Sequence, residues 1–549
     1  LESRDKGGSW QEVAQLPGQQ ILGIFPGSWA GRSEEVVVVS DSGAVRVSLE
    51  GEDAQQLRLP VTRVLASEGG VGQTGSYLYI LSEFTNEGGV LKGGVYRSSD
   101  LGASWEKVNG AFEASVAATG RLPRFRTLAV SEGHADVVYL SCEALWMMEN
   151  GFPQRHSGIL KTSDGGGSWD WVMTVSGGRI LTDNFEGDWI LRKLGWFRNP
   201  GHLGVSPTDP DIVYGTDSGR TIKSENGGRT WEQCIDREFE DRSFTTRGLD
   251  VTTTYGVHFD PFDTQHIFIS YTDIGLFQSF NGGKSWNHAI TGIPRQWRNT
   301  CYWLEFDPAV RGRIYSVWAN VHDLPRPKMY RSGNLVNGNQ QGGVAVSGDG
   351  GRWWGLLNLG ILKEDGTHHK GMRPGAVCTH LVLDPESPVA SRALYVTDYG
   401  YGVWKSQDGG RTWELKNAGL SPANLYCWRI TRLPSGRLIL LVARGGIEGR
   451  EVNPGALYFS DDGADSWHPM PMPDGATAPN DLVYDPSRPE RMYLSCWPLF
   501  DEGRGVGGGL FRTDDGGSSW QQVFQEDKHV YASAVDPFDS DLIYIATFN

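Results

Sequence analysis

The chain has 549 residues, 39% of them apolar, with 50 Lys and Arg against 66 Asp and Glu, a formal net charge of −16. That balance argues against a nucleic-acid backbone or an anionic membrane as partner, because both need a basic footprint. Glycine reaches 73 and tryptophan 21, and no run approaches the roughly 18 apolar residues of a membrane-spanning helix, so many short strands joined by tight turns are expected.

An eight-residue turn punctuates the chain. It begins as SRDKGGSW (3–10). The run EEVVVVSDSGAVRVS (34–48) then reads as two strands of a unit that has lost its turn. The octet returns as SSDLGASW (98–105), TSDGGGSW (162–169), SENGGRTW (224–231), SFNGGKSW (279–286), SGDGGRWW (347–354), SQDGGRTW (406–413), SDDGADSW (460–467) and TDDGGSSW (513–520). Upstream of most copies lies a strand closing in Asp-Pro, as in GVHFDP, WLEFDP, HLVLDP and DLVYDP. A second strand follows, a third runs into the octet, and a fourth leaves its Trp. Four short strands per repeat of about fifty residues make a propeller blade. In the octet, Asp or Asn caps the turn, Gly supplies positive φ and Trp fills the gap between sheets. These aspartates are read as fold staples, not catalysts.

The C-terminal YASAVDPFDSDLIYIATFN has two strands and no octet, whereas the N-terminal LESRDKGGSWQEV has the octet and its flanking strands. Together they complete one blade. The expected fold is therefore all-β, a single propeller over residues 1–549 with about ten blades, the last shared between residues 1–13 and 530–549; closure leaves no free sheet edge.

The six cysteines form no C-x-x-C pair and sit in apolar strand runs, so they are expected to be buried hydrophobes. No cofactor is implied and no metal site is assigned; acidic loops leave room for a structural calcium with no ligand set fixed. His368–His369, beside Glu364 and Asp365, is a weak metal candidate, because adjacent side chains point apart in an extended chain. The chain begins with Leu1, as a trimmed or mature product would, and a secreted or extracytoplasmic location is expected.

The S-x-D-x-G-x-x-W repeats resemble the BNR, or Asp-box, superfamily of propellers, which includes sialidases, the family-74 xyloglucan-cleaving glycoside hydrolases and the sortilin-type (Vps10) receptor domains. The F-R-I-P motif that opens the sialidase arginine triad is not found. The stretch VHFDPFDTQHIFISYTDIGLFQS (257–279) is similar to a family-74 blade. That resemblance implies a polysaccharide-cleaving enzyme in which Asp273, in its T-D-x-G turn, acts as general base and Asp481, in PNDLVYDP, as general acid. One carboxyl protonates the leaving oxygen while the other activates water or attacks. The chain departs from that family, which pairs two seven-bladed propellers, and T-D-x-G also occurs at Asp217 and Asp398. The blade count is closer to sortilin-type domains, which resemble a single ten-bladed ring capturing peptides in its tunnel but continue into a cysteine-rich module.

Long loops rich in aromatic and charged groups are expected to carry the site. Candidate sugar-stacking residues are Trp146, Trp189, Trp196, Trp297, Trp303, Tyr399, Trp428 and Trp497; Trp189 and Trp297 are read as exposed, while Trp303 and Trp428, next to Cys in strand runs, could equally pack between blades. Further acids are Glu186, Asp188, Asp250, Asp323, Asp501 and Glu502. The reading is a secreted glycoside hydrolase acting on a polysaccharide or oligosaccharide, a monomer with no nucleic-acid partner and no membrane insertion. A peptide- or glycan-binding propeller is the alternative. A polysaccharide lyase using His258, Tyr255 and Arg247 is the second alternative.

Overall fold

The computed structural model describes residues 8–9, 15–16, 18, 20–48, 54–176, 179–180, 184–186, 200–216, 221–246, 252–325, 341–362, 368–445, 453–501, 504–525, 528–536 and 538–548. The expected closing strand at residues 1–13 lies outside them apart from Gly8 and Ser9. The chain divides into two compact units, Leu1–Phe239 with Phe244–Val251, and Glu240–Ser243 with Thr252–Asn549.

The first unit holds four successive antiparallel meanders. The opening one, Ile21–Pro26, Glu35–Ser40, Ala44–Ser48 and Ala54–Leu57, is the repeat without an octet. The others start at Ala66–Val71, Arg124–Ser131 and His202–Val205, and the strand Phe185–Glu186 adds in parallel to the outer edge of the last. The one α-helix among the described residues, Gly110–Thr119, packs on the strand His134–Glu149 and stops at Gly120, whose φ of 67° an L-residue rarely adopts.

The second unit holds five four-stranded meanders, whose first strands are Thr254–Asp260, Thr300–Phe306, Cys378–Leu383, Cys427–Arg432 and Pro479–Asp485. A two-stranded sheet, His529–Val535 and Ile543–Phe548, follows. In each unit the first strand of one sheet packs beside the first strand of the next. This is the blade arrangement of a β-propeller. A blade packed between two others within its unit has its second strand buried on both faces; hence the apolar runs IYSVWA (Ile314–Ala319) and LILLV (Leu438–Val442) where an open sheet would alternate.

The octets act as staples. Ser98 Oγ donates to Asp100 Oδ1 at 2.8 Å, and the Gly102 N–H donates back to Ser98 Oγ. Asp100 in turn receives the Ser104 N–H and hydroxyl at 2.8 and 2.6 Å. The same net recurs around Asp164, Asp408, Asp462 and Asp515. The octet Trp then reaches the preceding blade: the Nε1 atoms of Trp169, Trp231, Trp413, Trp467 and Trp520 donate to the carbonyls of Val108, Val172, Leu357, Lys416 and Pro471. Asp-Pro turns are capped in parallel fashion, with Asp260, Asp307, Asp384 and Asp485 each accepting the N–H two residues on.

Candidate functional site

The chemistry-bearing side chains of the second unit gather on its first strands. All six of those strands carry an irregularity at the same point, between Thr254 and Gly256, Cys301 and Trp303, Cys378 and His380, Cys427 and Arg429, Pro479 and Asp481, and Val530 and Ala532. A bulge inserts one residue and re-aims its neighbours. The inserted residues are Tyr255, Tyr302, Thr379, Trp428, Asn480 and Tyr531. Those that follow are Gly256, Trp303, His380, Arg429, Asp481 and Ala532, each four positions before the Asp of an Asp-Pro turn or its equivalent. Repetition of one local irregularity thus produces two families of side chains.

The inserted residues build an aromatic core. The Tyr255 and Tyr302 rings lie 4.7 Å apart, and Trp428 meets them edge-on at 6.0 and 5.7 Å. Their hydroxyls hold a loop: Tyr302 donates to the Val321 carbonyl at 2.8 Å and Tyr255 to that of Leu324 at 3.2 Å. Between those anchors stand His322 and Asp323. His322 Nδ1 is 3.0 Å from Asp323 Oδ2 and 3.4 Å from Asp273 Oδ1. Thr252 Oγ1 donates to the other oxygen of Asp273 at 3.4 Å. Asp273 has φ 65° and Asp323 φ 56°, left-handed conformations that short acidic side chains tolerate.

Asp398 occupies the equivalent T-D-x-G position and is bound on every side. Arg373 donates to it through Nε and Nη2, both at 2.8 Å, the Val377 N–H at 2.9 Å and Trp404 Nε1 at 3.2 Å. Asp217, in the third such turn, lies outside the described residues.

The second family forms a cluster around Trp303. His258 meets the Trp303 ring edge-on at 4.6 Å and His380 lies against it at 4.5 Å. The Arg429 guanidinium stands over Trp303 at 5.1 Å and over Trp428 at 4.7 Å. Gly256 is required here, since a Cβ would come within 2.6 Å of His258 Nε2. Burial, reinforced by Arg429, drives the His258 imidazole down to about 3 and that of His380 well below its usual range. Burial raises the Asp481 carboxyl, with Arg429 pulling the other way, and pushes Glu305 up to about 7. Asp481 Oδ2 accepts the Ser533 N–H at 3.3 Å. The Trp428 indole donates to the Asn480 carbonyl at 2.8 Å, which ties the aromatic core to the residue preceding Asp481.

Several sequence expectations change. Trp297, read as exposed, is only 7% exposed, because it sits in the core that includes Trp318 and Trp354. Tyr399 and Trp428, at 2% and 1%, are structural core and present no face to a sugar. Trp303 and Trp497 stay half-buried, Trp497 between His529 and Tyr531. Trp146, in the first unit, lies under the Arg121 guanidinium. Burial raises the Tyr255 hydroxyl well above its usual range and commits it to Leu324, which disqualifies it as a base at neutral pH. Trp189, Trp196, Asp188, Arg247, Asp250, Glu364, Asp365 and Glu502 lie outside the described residues, as do the side chains of Glu186, His368, His369 and Asp501. No group of three or more His, Cys, Asp or Glu suited to a metal ion occurs among the described residues.

His322, Glu305, His380 and Arg429 were missed as site residues. For His380 a signal existed, its place four residues before an Asp-Pro turn, and Arg429 holds the same place before Leu433-Pro434; for His322 none did.

No family model matches the chain. Over 119 residues it is 28% identical to an oligoxyloglucan-reducing end-specific xyloglucanase of Emericella nidulans, 21% of this chain and 14% of that one, so the match spans about a seventh of that relative. Among solved structures, a GH74 enzyme of Niastella koreensis aligns with 93% of this chain and 70% of its own at 13% identity and a TM-score of 0.41. The GH74 xyloglucanase of Xanthomonas campestris aligns over 98% of both chains at 16% identity and a TM-score of 0.26. YCF48 bound to D1 peptide aligns with 61% of this chain and 86% of its own at 17% identity and a TM-score of 0.35.

Proposed function

We propose that the protein is a polysaccharide-cleaving glycoside hydrolase in which Asp273 and Asp481 are the working carboxyl groups. The observation that carries this reading is the difference between two turns that share the T-D-x-G pattern: Asp398 is fully engaged by a bidentate arginine, whereas Asp273 keeps a part-exposed carboxyl beside His322. A carboxylate that the fold does not need for its own turn is free to activate water or attack an anomeric carbon.

Asp481 fits the complementary role. Burial favours its neutral form, and a carboxylic acid that holds its proton can deliver it to a leaving oxygen. His322, backed by Asp323, stands beside Asp273 within ion-pair reach and can orient it. Half-buried Trp303 and Trp497 supply apolar faces for sugar rings. The 119-residue similarity to an enzyme named as a xyloglucanase supports the same class and makes xyloglucan the first substrate to try. No helix among the described residues is long and apolar enough to cross a membrane, and action on an external polymer makes secretion the natural location.

The test is product analysis by mass spectrometry after incubation with xyloglucan, other neutral plant glycans and uronate-containing glycans. Release of defined oligosaccharides supports the reading. Intact polymers throughout would overturn it.

A further inference from the structure

Four nitrogens in the cluster around Trp303 are sealed from solvent and make no hydrogen bond: Nε1 of Trp303 itself, Nε and Nη1 of Arg429, and Nδ1 of His380. Arg429 as a whole is 9% exposed, and no described carboxylate forms an ion pair with it. Elsewhere in this unit a buried guanidinium is satisfied. Arg392 meets Asp307 through Nη2 and Nε at 2.8 and 3.0 Å and donates to the carbonyl of Pro385 as well.

A guanidinium keeps its proton in any protein environment, so Arg429 cannot relieve its burial by becoming neutral. Buried charge is tolerated when paired and hydrogen-bonded, and it is strongly unfavourable otherwise. The rings of Trp303 and Trp428 attract the cation through their faces, yet they accept none of its in-plane N–H groups. Asp481 lies within Coulombic reach but spends an oxygen on the Ser533 N–H. His258 and His380 supply no counter-charge, because an imidazole is neutral or positive, and burial beside Arg429 favours the neutral form of both. Burial favours the neutral form of the two carboxyl groups at hand, Asp481 and Glu305, and neither accepts a hydrogen bond from Nε or Nη1 of Arg429. Trp303 and Asp481 are only half-buried, so the cluster is not closed on their side.

We infer that Arg429, with His380 beside it, is the receptor for one small anionic group: the carboxylate of an acidic sugar or a simple inorganic anion, both of which offer the same charged acceptor to N–H donors. Anion binding here is read out without any cleavage assay, although Arg429 also acts on the Asp481 carboxyl.

The experiment is calorimetric titration of the full chain in halide-free buffer at constant ionic strength with sodium bromide and with sodium galacturonate, galactose serving as neutral control. Wild type is compared with Arg429→Met, which keeps bulk and loses charge, and with Arg429→Lys. The expected result is saturable binding of one anion per chain in wild type, weakened at least tenfold in Arg429→Met and partly kept in Arg429→Lys, with galactose silent. Bromide alone binding assigns an inorganic ion; tighter galacturonate binding assigns an acidic sugar. Saturation by neither anion, or unchanged affinity in Arg429→Met, overturns the inference. If Arg429→Met does not fold, bromide-soaked crystals of wild type decide: an anomalous peak within hydrogen-bond reach of the guanidinium supports the site, and its absence refutes it.

Discussion

Asp398 takes two hydrogen bonds of 2.8 Å from Arg373 and has a side chain that is 0% exposed, while Asp273, at the same place in the same T-D-x-G turn, faces His322 at 3.4 Å with 36% of its side chain exposed. Sequence makes the two aspartates equivalent. Their neighbours do not. Replacing Asp398 by Asn leaves Arg373 without its counter-charge, and Arg373 is itself a quarter exposed. The expected loss is about 2–3 kcal/mol, below the roughly 3–5 of a fully buried pair. Asp273→Asn is expected to stay within about 0.5 kcal/mol of wild type. Denaturant unfolding of the two variants measures the contrast.

The loop bearing His322 hangs on two phenolic hydroxyls. Tyr302→Phe removes the bond to the Val321 carbonyl while keeping the ring contacts of Tyr255 and Trp428. We expect a modest stability loss of about 1 kcal/mol and a fall in glycan cleavage of about tenfold, because misplaced catalytic groups lose rate steeply. Equal cleavage by wild type and Tyr302→Phe would show that the loop does not position the reacting groups.

Stability should decline on mild acidification. The folded chain holds His258 at about 3 against an unfolded value near 6.5, so its stabilising contribution is complete above about 6.5 and is lost as pH falls toward 3. Between pH 6.5 and 4.5 that is about 2–3 kcal/mol for His258, with His380 acting in the same direction. Below about pH 4 the octets join in: hydrogen bonds within the turns hold Asp164 and Asp515 at about 2, so their contribution is present above the ordinary carboxyl value and lost toward pH 2. Urea unfolding at pH 7.5, 6, 5 and 4 should show the decline, and His258→Gln should flatten its upper part.

Asp481, as the proposed proton donor, makes its own pH prediction. Burial raises Asp481 and Arg429 lowers it. Removing the arginine charge in Arg429→Met therefore moves Asp481 further up, and the alkaline limb of the cleavage profile should shift to higher pH. A limb that stays in place, or moves down, would separate Asp481 from the proton-donating step.

Much of this molecule can be read from its residues, and the reason is repetition. The octet carries its own hydrogen-bond net, so Asp100, Asp164 and Asp462 were legible as staples without coordinates. The degenerate repeat at 34–48 was legible because Val-rich alternation survived the loss of its turn; it is the hairpin Glu35–Ser40 with Ala44–Ser48. Burial of individual tryptophans was harder. Trp297 sits in a Pro- and Arg-rich segment that looks exposed, yet the segment folds a short helical turn over the core. The bulge that aligns Trp303, His380, Arg429 and Asp481 leaves no composition signal of its own; only the constant offset from Asp-Pro, or from Leu433-Pro434 in the Arg429 blade, betrays it. Ion-pair partners such as Arg373 for Asp398 and His322 for Asp273 come from different loops and are set by tertiary structure alone.

The most direct measurement of the central claim is reducing-end release from the glycan panel by wild type, Asp273→Asn and Asp481→Asn, at a temperature where all three remain folded. The account predicts that each substitution lowers release by about a hundredfold or more, with unfolding curves that overlay for Asp273→Asn. Cleavage that persists at the wild-type rate in either variant would contradict the assignment of that carboxyl to the reaction.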